Sequence, residues 1–344
     1  MPSSVLASVL KRVAAGEVLS ADDAAAAFGA VMSGEGTPVQ MAALLMGLRV
    51  RGEQASEVAG AARALRTAMT HLETPDPGAL VDTCGTGGGA VGTFNISTAA
   101  ALLAAGAGVR IAKHGNRSFT SRSGSADVLE ALGVAIDVPV ARMRAVLDEA
   151  GIVFMFAPTM HPAMRHVGPV RRELGLQTVM NLIGPLANPA SAGRQVIGVA
   201  DPARLELIAG ALSELGTVHS LVVHGAPGMD EVSPLGPTTV IELKGKSVAR
   251  WTIEPEALGV RGASAAELAG GEPAENAALV ERVLLGKGPA GAAAAVVLNA
   301  AAAIYVGGVE KTLEAAVARA RVALKEGRGW DALGRLRSAS AARR

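Results

Sequence analysis

Residues 81–98 read VDTCGTGGGAVGTFNIST, in which Gly85, Gly87, Gly88, Gly89 and Gly92 precede amide and hydroxyl side chains. Glycine admits positive φ and lets a ligand approach bare backbone N–H groups. Asn95, Ser97 and Thr98 lead into an alanine- and leucine-rich run, and such residues cap helices whose N-termini attract anions. The combination describes a phosphate cradle, since a plain turn rarely needs so many glycines beside capping groups. The spacing Gly87-x-Gly89-x-x-Gly92 matches the glycines of the dinucleotide fingerprint, which also requires an acidic residue about twenty positions on. The next candidate strand ends instead in Lys113-His114-Gly115-Asn116-Arg117. No Gly-Lys-Ser/Thr is present, so a nucleoside-triphosphate P-loop is excluded.

Residues 113–125, KHGNRSFTSRSGS, form a second candidate loop. Its cations (Lys113, Arg117, Arg122), its amide and its hydroxyls (Ser118, Thr120, Ser121, Ser123, Ser125) can wrap several phosphate oxygens. Ser125 is also a candidate cap for the helix after it. Further on, Arg171-Arg172 has the fork geometry for a carboxylate, although an exposed Arg-Arg-Glu on a helix accounts for it equally well. Residues 180–189, MNLIGPLANP, read as a rigid apolar turn able to wall a small ligand. Asp230-Glu231 suits magnesium, commonly held by one or two carboxylates together with substrate phosphates, with an acidic turn tip as the plain alternative. His161 and His166 lack zinc spacing, the single cysteine, Cys84, offers no sulfur site, and no Gly-x-Ser-x-Gly elbow occurs. Taken together, the residues suit displacement of one phosphate group of a multiply phosphorylated substrate, by positioning and charge stabilisation.

These groups need elements to hold them. Residues 4–72 show helical spacing in four stretches, Val5–Val13, Ala24–Met32, Val39–Val50 and Val58–Met69, with Ser20 and Thr37 as caps. Thr74-Pro75-Asp76-Pro77-Gly78 is a stiff break. Strands and helices then alternate. The predicted strands are Ala79–Asp82, Val109–Lys113, Ala135–Val138, Ile152–Ala157, Gln195–Ala200, Val218–His224, Thr239–Leu243 and Ser247–Ile253. The predicted helices are Thr98–Ala107, Ala126–Leu132, Val140–Ala150, Pro202–Leu215, Asn276–Leu285, Ala290–Val306 and Val309–Gly327. Such alternation predicts an α/β fold, a mostly parallel sheet flanked by helices, with ligands beyond the carboxyl ends of its strands.

Composition narrows the class. Aromatics make up 2% and the net charge is +1, which argues against base stacking and a general pull towards nucleic acid or anionic membrane. The apolar stretch 289–308 contains Asn299 and ends in glycines, so it reads as a buried helix and not a membrane span. One cysteine and an N-terminus without a signal-peptide pattern fit the cytoplasm.

At this point the chain resembles the anthranilate phosphoribosyltransferases over nearly its whole length. The resemblance rests on 82–88 (DTCGTGG), 93–98 (TFNIST), 113–117 (KHGNR), 124–130 (GSADVLE), 161–164 (HPAM), 181–186 (NLIGPL) and Asp230-Glu231, in that order. It implies phosphoribosyl transfer from phosphoribosyl pyrophosphate to the amine of anthranilate in tryptophan biosynthesis, with Mg2+, by a cytoplasmic homodimer. The implied architecture is nucleoside phosphorylase/phosphoribosyltransferase-like. A small helical dimerisation domain takes 1–73 plus about 165–190, and a large α/β domain takes 74–164 and 191–344. For the donor, the resemblance implies Gly85, Gly88, Thr93, Asn95, Ser97, Thr98, Lys113, Ser121 and Ser125, with Gly89, Ile96, His114, Gly115, Asn116, Arg117, Ser118, Phe119 and Thr120 completing the two loops. Ser97, Asp230 and Glu231 would hold the metal. Gly85, Asn116 and Arg171 would bind anthranilate, with His114, Pro158, His161 and Met164 lining its route. Lys113, Asp230 and Glu231 would act electrostatically, and no residue stands out as a nucleophile. Members of the family usually carry aspartate where this chain has Gly89, so the metal dependence of donor binding is expected to differ. The rival readings are a pyrimidine-nucleoside phosphorylase, which should show a serine motif after the lysine, and a non-catalytic nucleic-acid-binding paralogue, which should show a basic groove.

Overall fold

The computed structural model describes residues 3–118 and 122–341, and the chain divides into two compact units. The smaller comprises Met1–His71, Pro158–Pro189 and Glu206–Gly216, and the larger comprises Leu72–Ala157, Ala190–Leu205 and Thr217–Arg344.

In the smaller unit, helices Ser4–Ala14, Ala21–Met32, Pro38–Arg51 and Ala55–Ala68 occupy the four stretches of helical spacing. Ser20 Oγ accepts the Asp23 N–H at 3.1 Å, and Thr37 forms a capping box with Gln40 ahead of Pro38. At Gly60 a Cβ would overlap the backbone of Ala21, so glycine permits the close crossing of the second and fourth helices. Glu57 is fully buried in that crossing; it accepts the Leu19 N–H at 2.9 Å and pairs with Arg51, which compensates its charge. Helices Ala157–Met160, Met164–Leu174 and Val179–Leu182 contribute the second segment, which starts at 158 and not near 165. Helix Leu205–Leu215 also groups here from Glu206 on, although the sequence pattern places it with the sheet. A Cβ at Gly210 would come 2.8 Å from the Ala55 Cβ, a close approach that no hydrophobic periodicity encodes.

Among the described residues the larger unit is built on a seven-stranded sheet. Its strands are β1 (Val81–Gly85), β2 (Ile111–Gly115), β3 (Ile152–Phe156), β4 (Arg194–Gly198), β5 (His219–Gly225), β6 (Thr238–Lys244) and β7 (Ser247–Ile253). Their order is β3-β2-β1-β4-β5-β6-β7, parallel from β3 through β5 and antiparallel for the last two pairs. The mostly parallel sheet and the helical unit agree with the expected fold class. The chain runs outward from β1 to β3, then returns to the other side of β1 with β4, which makes the β1/β4 boundary a topological switch point. Helices Ile96–Gly106 and Ala290–Val306 pack on each other and on β1, their alanines allowing close approach. The second of these buries Asn299, as expected of stretch 289–308, and no helix among the described residues is long and apolar enough to cross a membrane.

Two readings fail. Ala135–Val138 is not a strand: Val134, Ile136 and Val138 are buried alternately, but among the described residues the segment has no strand to pair with, and the Ala135 N–H donates to Ser340 Oγ at 3.2 Å. Alternation there reports one-sided burial of an extended connection. That Ser340 belongs to helix Arg328–Ala341, which the sequence reading left out; Gly106 makes room for it, because a Cβ there would overlap Arg328 O.

Candidate active site

Strands β1, β2, β4 and β5 each end on a glycine. A Cβ would overlap Asp230 Oδ2 at Gly85, Ser125 Oγ at Gly115, Asp230 O at Gly198 and Glu231 O at Gly225. The loops after β1, β2 and β5 therefore lie directly on the carboxyl edge of the sheet, around the switch point. Gly85 and Gly198 are register partners, and the acidic segment crosses above both.

The glycine loop turns through positive φ at Gly87 (71°) and Gly88 (79°). It is fastened to the acidic loop: the Gly87 N–H donates to Asp230 Oδ2 at 2.8 Å, and the Ala90 N–H to Gly228 O at 2.8 Å. Its far end pairs with residues 268–270, through the Thr93–Ala269 bridge and the Phe94 N–H to Leu268 O at 2.9 Å. The helix then begins at Ile96, two residues before the expected Thr98, which changes the roles of the capping residues. Asn95 holds the N-cap position, yet its side chain caps nothing; it donates to Ser123 O at 3.1 Å and accepts from Asn276 Nδ2 at 2.9 Å. Ser97 and Thr98 fall in the first turn. Thr98 is 1% exposed and its Oγ1 has no hydrogen-bond partner among the described residues.

Lys113 lies in the middle of β2 with 2% exposure, and its Nζ donates to Thr83 O at 2.6 Å and reaches Ser97 Oγ at 3.5 Å. Burial lowers its pKa, while Asp82 and Glu231 pull it back. Glu231 accepts the Ser97 N–H at 3.1 Å. Burial, with Asp230 adding to it, pushes the Glu231 carboxyl up to about 8, and burial raises Asp230 as well. Burial likewise raises the Cys84 thiol, so it is no ready nucleophile. A hollow of about 10 Å³ lies between Thr83, Cys84, Ser97, Glu231 and Asn299, room for roughly one water. Among the described residues no three His, Cys, Asp or Glu side chains gather as a cage. What is present is two adjacent carboxylates beside the Ser97 hydroxyl. Such an all-oxygen donor set, short of ligands by itself, fits a hard dication that keeps water or substrate oxygens.

The basic loop is closed at its base. Asp127 Oδ2 accepts the N–H of Ser118 at 3.1 Å and of Gly124 at 2.9 Å, while its Oδ1 accepts from Arg117 at 2.8 Å. Arg117, expected among the donor-binding groups, is instead bonded to Asp127 and Glu130 and lies 5.8 Å from the centre of the Phe156 ring. Those two carboxylates raise its pKa further. Ser125 is the first helical residue and not the cap: Gly124 holds the cap position, and Ser125 Oγ donates to Asn116 O at 3.3 Å. Phe119, Thr120 and Ser121 lie outside the described residues.

Pro158, His161, Met164 and Arg171 belong to the smaller unit, whereas Gly85, His114 and Asn116 belong to the larger. Arg171 is half-buried on helix Met164–Leu174 and burial lowers its pKa, while Arg172 is exposed. His161 is 5% exposed, and burial lowers its pKa to about 4, so it is neutral at physiological pH. Three residues at the site escaped the sequence reading as site residues: Asp127 at the loop base, although it lies within the 124–130 motif, and Asn276 behind Asn95 and Asn299 beside Glu231, which carry no motif. A lone amide in an apolar helix was the one available signal for Asn299.

The glycosyl transferase family, helical bundle domain, matches residues 7–69, and the glycosyl transferase family, a/b domain, matches residues 77–330. Anthranilate phosphoribosyltransferase of Thermomicrobium roseum is 48% identical over 337 residues, covering 97% of this chain and 96% of its own. The crystal structure of the enzyme of that name from Thermus thermophilus superposes with a TM-score of 0.91 at 45% identity, covering 97% of this chain and 99% of its own. The Saccharomyces cerevisiae enzyme, solved in complex with PRPP and Mg, gives a TM-score of 0.90 at 26% identity, with 99% of each chain covered. Full-length identity at this level, matches to both domain families and the convergence of the motif-bearing loops on one sheet edge agree, and the chain belongs to the anthranilate phosphoribosyltransferase family.

Proposed function

We propose that this protein transfers the phosphoribosyl group of phosphoribosyl pyrophosphate to the amine of anthranilate, giving phosphoribosylanthranilate and pyrophosphate, as in tryptophan biosynthesis. The observation that carries the reading is the meeting of the glycine loop, Lys113 and Asp230-Glu231 over the β1/β4 switch point. The yeast relative's complex with PRPP and Mg supports it. N–H groups of the glycine loop bind phosphate oxygens, with the basic loop from Lys113 to Ser125 around the rest. Asp230, Glu231 and Ser97 Oγ would hold Mg2+, which would relieve the cost of two neighbouring, desolvated carboxylates. When bound, the ion offsets the charge that develops on departing pyrophosphate. Lys113, kept in place by Thr83 O, adds positive charge on the same side. Arg171 answers the carboxylate of anthranilate, with Gly85 and Asn116 as further contacts and His114, Pro158, His161 and Met164 along the acceptor's route. The amine of anthranilate is uncharged at neutral pH, so positioning replaces a strong base.

The protein acts as a cytoplasmic homodimer in this reading. Val39, Ala43, Met46 and Val50 recur at helical spacing on helix Pro38–Arg51, and Val39 and Val50 are 78% and 81% exposed. Loss of anthranilate fluorescence on incubation with phosphoribosyl pyrophosphate and Mg2+ tests the reaction. A folded protein that leaves the signal unchanged refutes it, and phosphorolysis of a pyrimidine nucleoside would favour the phosphorylase reading instead.

A further inference from the structure

Asn299 is 3% exposed in the middle of helix Ala290–Val306, whose other central residues are apolar. A buried amide costs free energy unless its donors and acceptor are satisfied. Here they are, and the partner is informative. The Val232 N–H donates to Asn299 Oδ1 at 2.8 Å, and Asn299 Nδ2 donates to Val232 O at 2.9 Å and to Ala295 O at 2.9 Å. The side chain grips both polar groups of one backbone residue, as a neighbouring strand would. That residue directly follows Asp230-Glu231. The same segment also rests on the glycine ends of β4 and β5, where a Cβ would overlap Asp230 O and Glu231 O. The acidic segment is therefore held from the helix side by one amide and from the sheet side by two glycines. Asn299 also borders the hollow shared with Glu231 and Ser97.

We propose that Asn299 is a positioning residue for the metal site: it fixes the backbone from which both carboxylates project and so sets their common geometry. The proposal rests on the reading of Asp230-Glu231 as the magnesium site. Groups that orient ligands without touching the ion typically influence affinity by about ten- to a hundredfold when removed. The test compares the native protein with Asn299→Leu, Asn299→Ser and Leu298→Ala, the last a cavity in the same helix away from the amide. Binding of Mn2+ alone is followed by electron paramagnetic resonance, with melting temperature measured in parallel. Both Asn299 variants are expected to weaken Mn2+ by about tenfold or more, while Leu298→Ala lowers the melting temperature and leaves Mn2+ affinity unchanged. The Mg2+ activation constant should rise by a similar factor, with kcat at saturating Mg2+ falling by less than about threefold. Unchanged Mn2+ affinity in folded Asn299 variants overturns the proposal, as does an equal loss in Leu298→Ala. In the native protein the Val232 amide should exchange with solvent at the rate of the core; exchange at loop rates overturns the proposal without any variant. A native protein that binds no Mn2+, either alone or with phosphoribosyl pyrophosphate, removes the metal-site reading itself, and this inference with it.

Discussion

In the proposed reading Arg171 meets only the acceptor, so its removal should separate the two substrates. Burial already disfavours its charge, so a carboxylate partner regains what desolvation costs. Arg171→Ala should raise KM for anthranilate by about tenfold to a hundredfold, the size of a lost charge-assisted hydrogen bond, with KM for the donor unchanged. Arg171→Lys should recover little, because an ammonium lacks the planar fork; steady-state kinetics in both substrates decide it. Gly89 has a different role. A Cβ there would lie 3.4 Å from Asp230 Oδ1 and 3.0 Å from Gly228 O, so Gly89→Asp would place a third carboxylate beside the acidic segment. Donor binding should weaken at low Mg2+ and recover as Mg2+ rises, and superimposable Mg2+ titrations of the two proteins would refute this. His161 carries a pH signature. Its folded pKa lies below the ordinary 6.5, at about 4, so the fold favours the neutral ring. The stability this contributes is whole above pH 6.5 and is lost as pH falls through about 4, amounting to at most roughly 3 kcal/mol. The His161 ring resonances should titrate near 4, and His161→Gln should show a shallower loss of stability over that acid range.

At the scale of elements, the strand-end glycines govern how loops reach the site. Gly198→Ala must push the Asp230 carbonyl off β4, so it should cost about 1–3 kcal/mol or more in thermal unfolding and weaken Mn2+ binding together. An Ala substitution at Gly216, where a Cβ would meet nothing within 4 Å, tests the effect of a glycine loss alone, there through its positive φ of 79°. Equal melting temperatures for native protein and Gly198→Ala would remove the argument. The parallel sheet and the first four helices were legible because periodicity reports which side of an element is buried. Ala135–Val138 shows the limit of that signal, since burial of alternate residues does not supply a pairing partner. The two loops and the acidic pair were legible as chemistry because glycine, hydroxyl and charge clusters are local in sequence. Their supports were not. Asn276 reaches Asn95 across 181 residues, and Asn299 reaches Val232 across 67, so no local pattern records either contact. Arg117 shows the converse: a cation in a phosphate-like loop whose partners, Asp127 and Glu130, lie one turn apart on the next helix.

For the whole molecule, the open question is how many chains make the working unit, and helix Pro38–Arg51 supplies the argument. Leu44, Leu45 and Leu48 are buried within the smaller unit, yet Val39, Ala43, Met46 and Val50 recur at intervals of four, three and four residues on another side. That spacing makes a continuous apolar stripe, and Val39 and Val50 at its ends are almost wholly exposed. Scattered exposed valines need no explanation, but a stripe of helical period is what a helix shows when it packs on a partner. A second copy of the same stripe across a twofold axis satisfies both chains with one surface. The native protein should therefore elute and scatter light as a dimer at micromolar concentration, and Ala43→Glu, which sets like charges against each other at the centre of the stripe, should yield a monomer. The variant's helical signal should persist, because Ala43 is exposed and glutamate is a good helix former. A dimer that survives both Ala43→Glu and Val39→Glu/Val50→Glu would show that the chains associate through some other face.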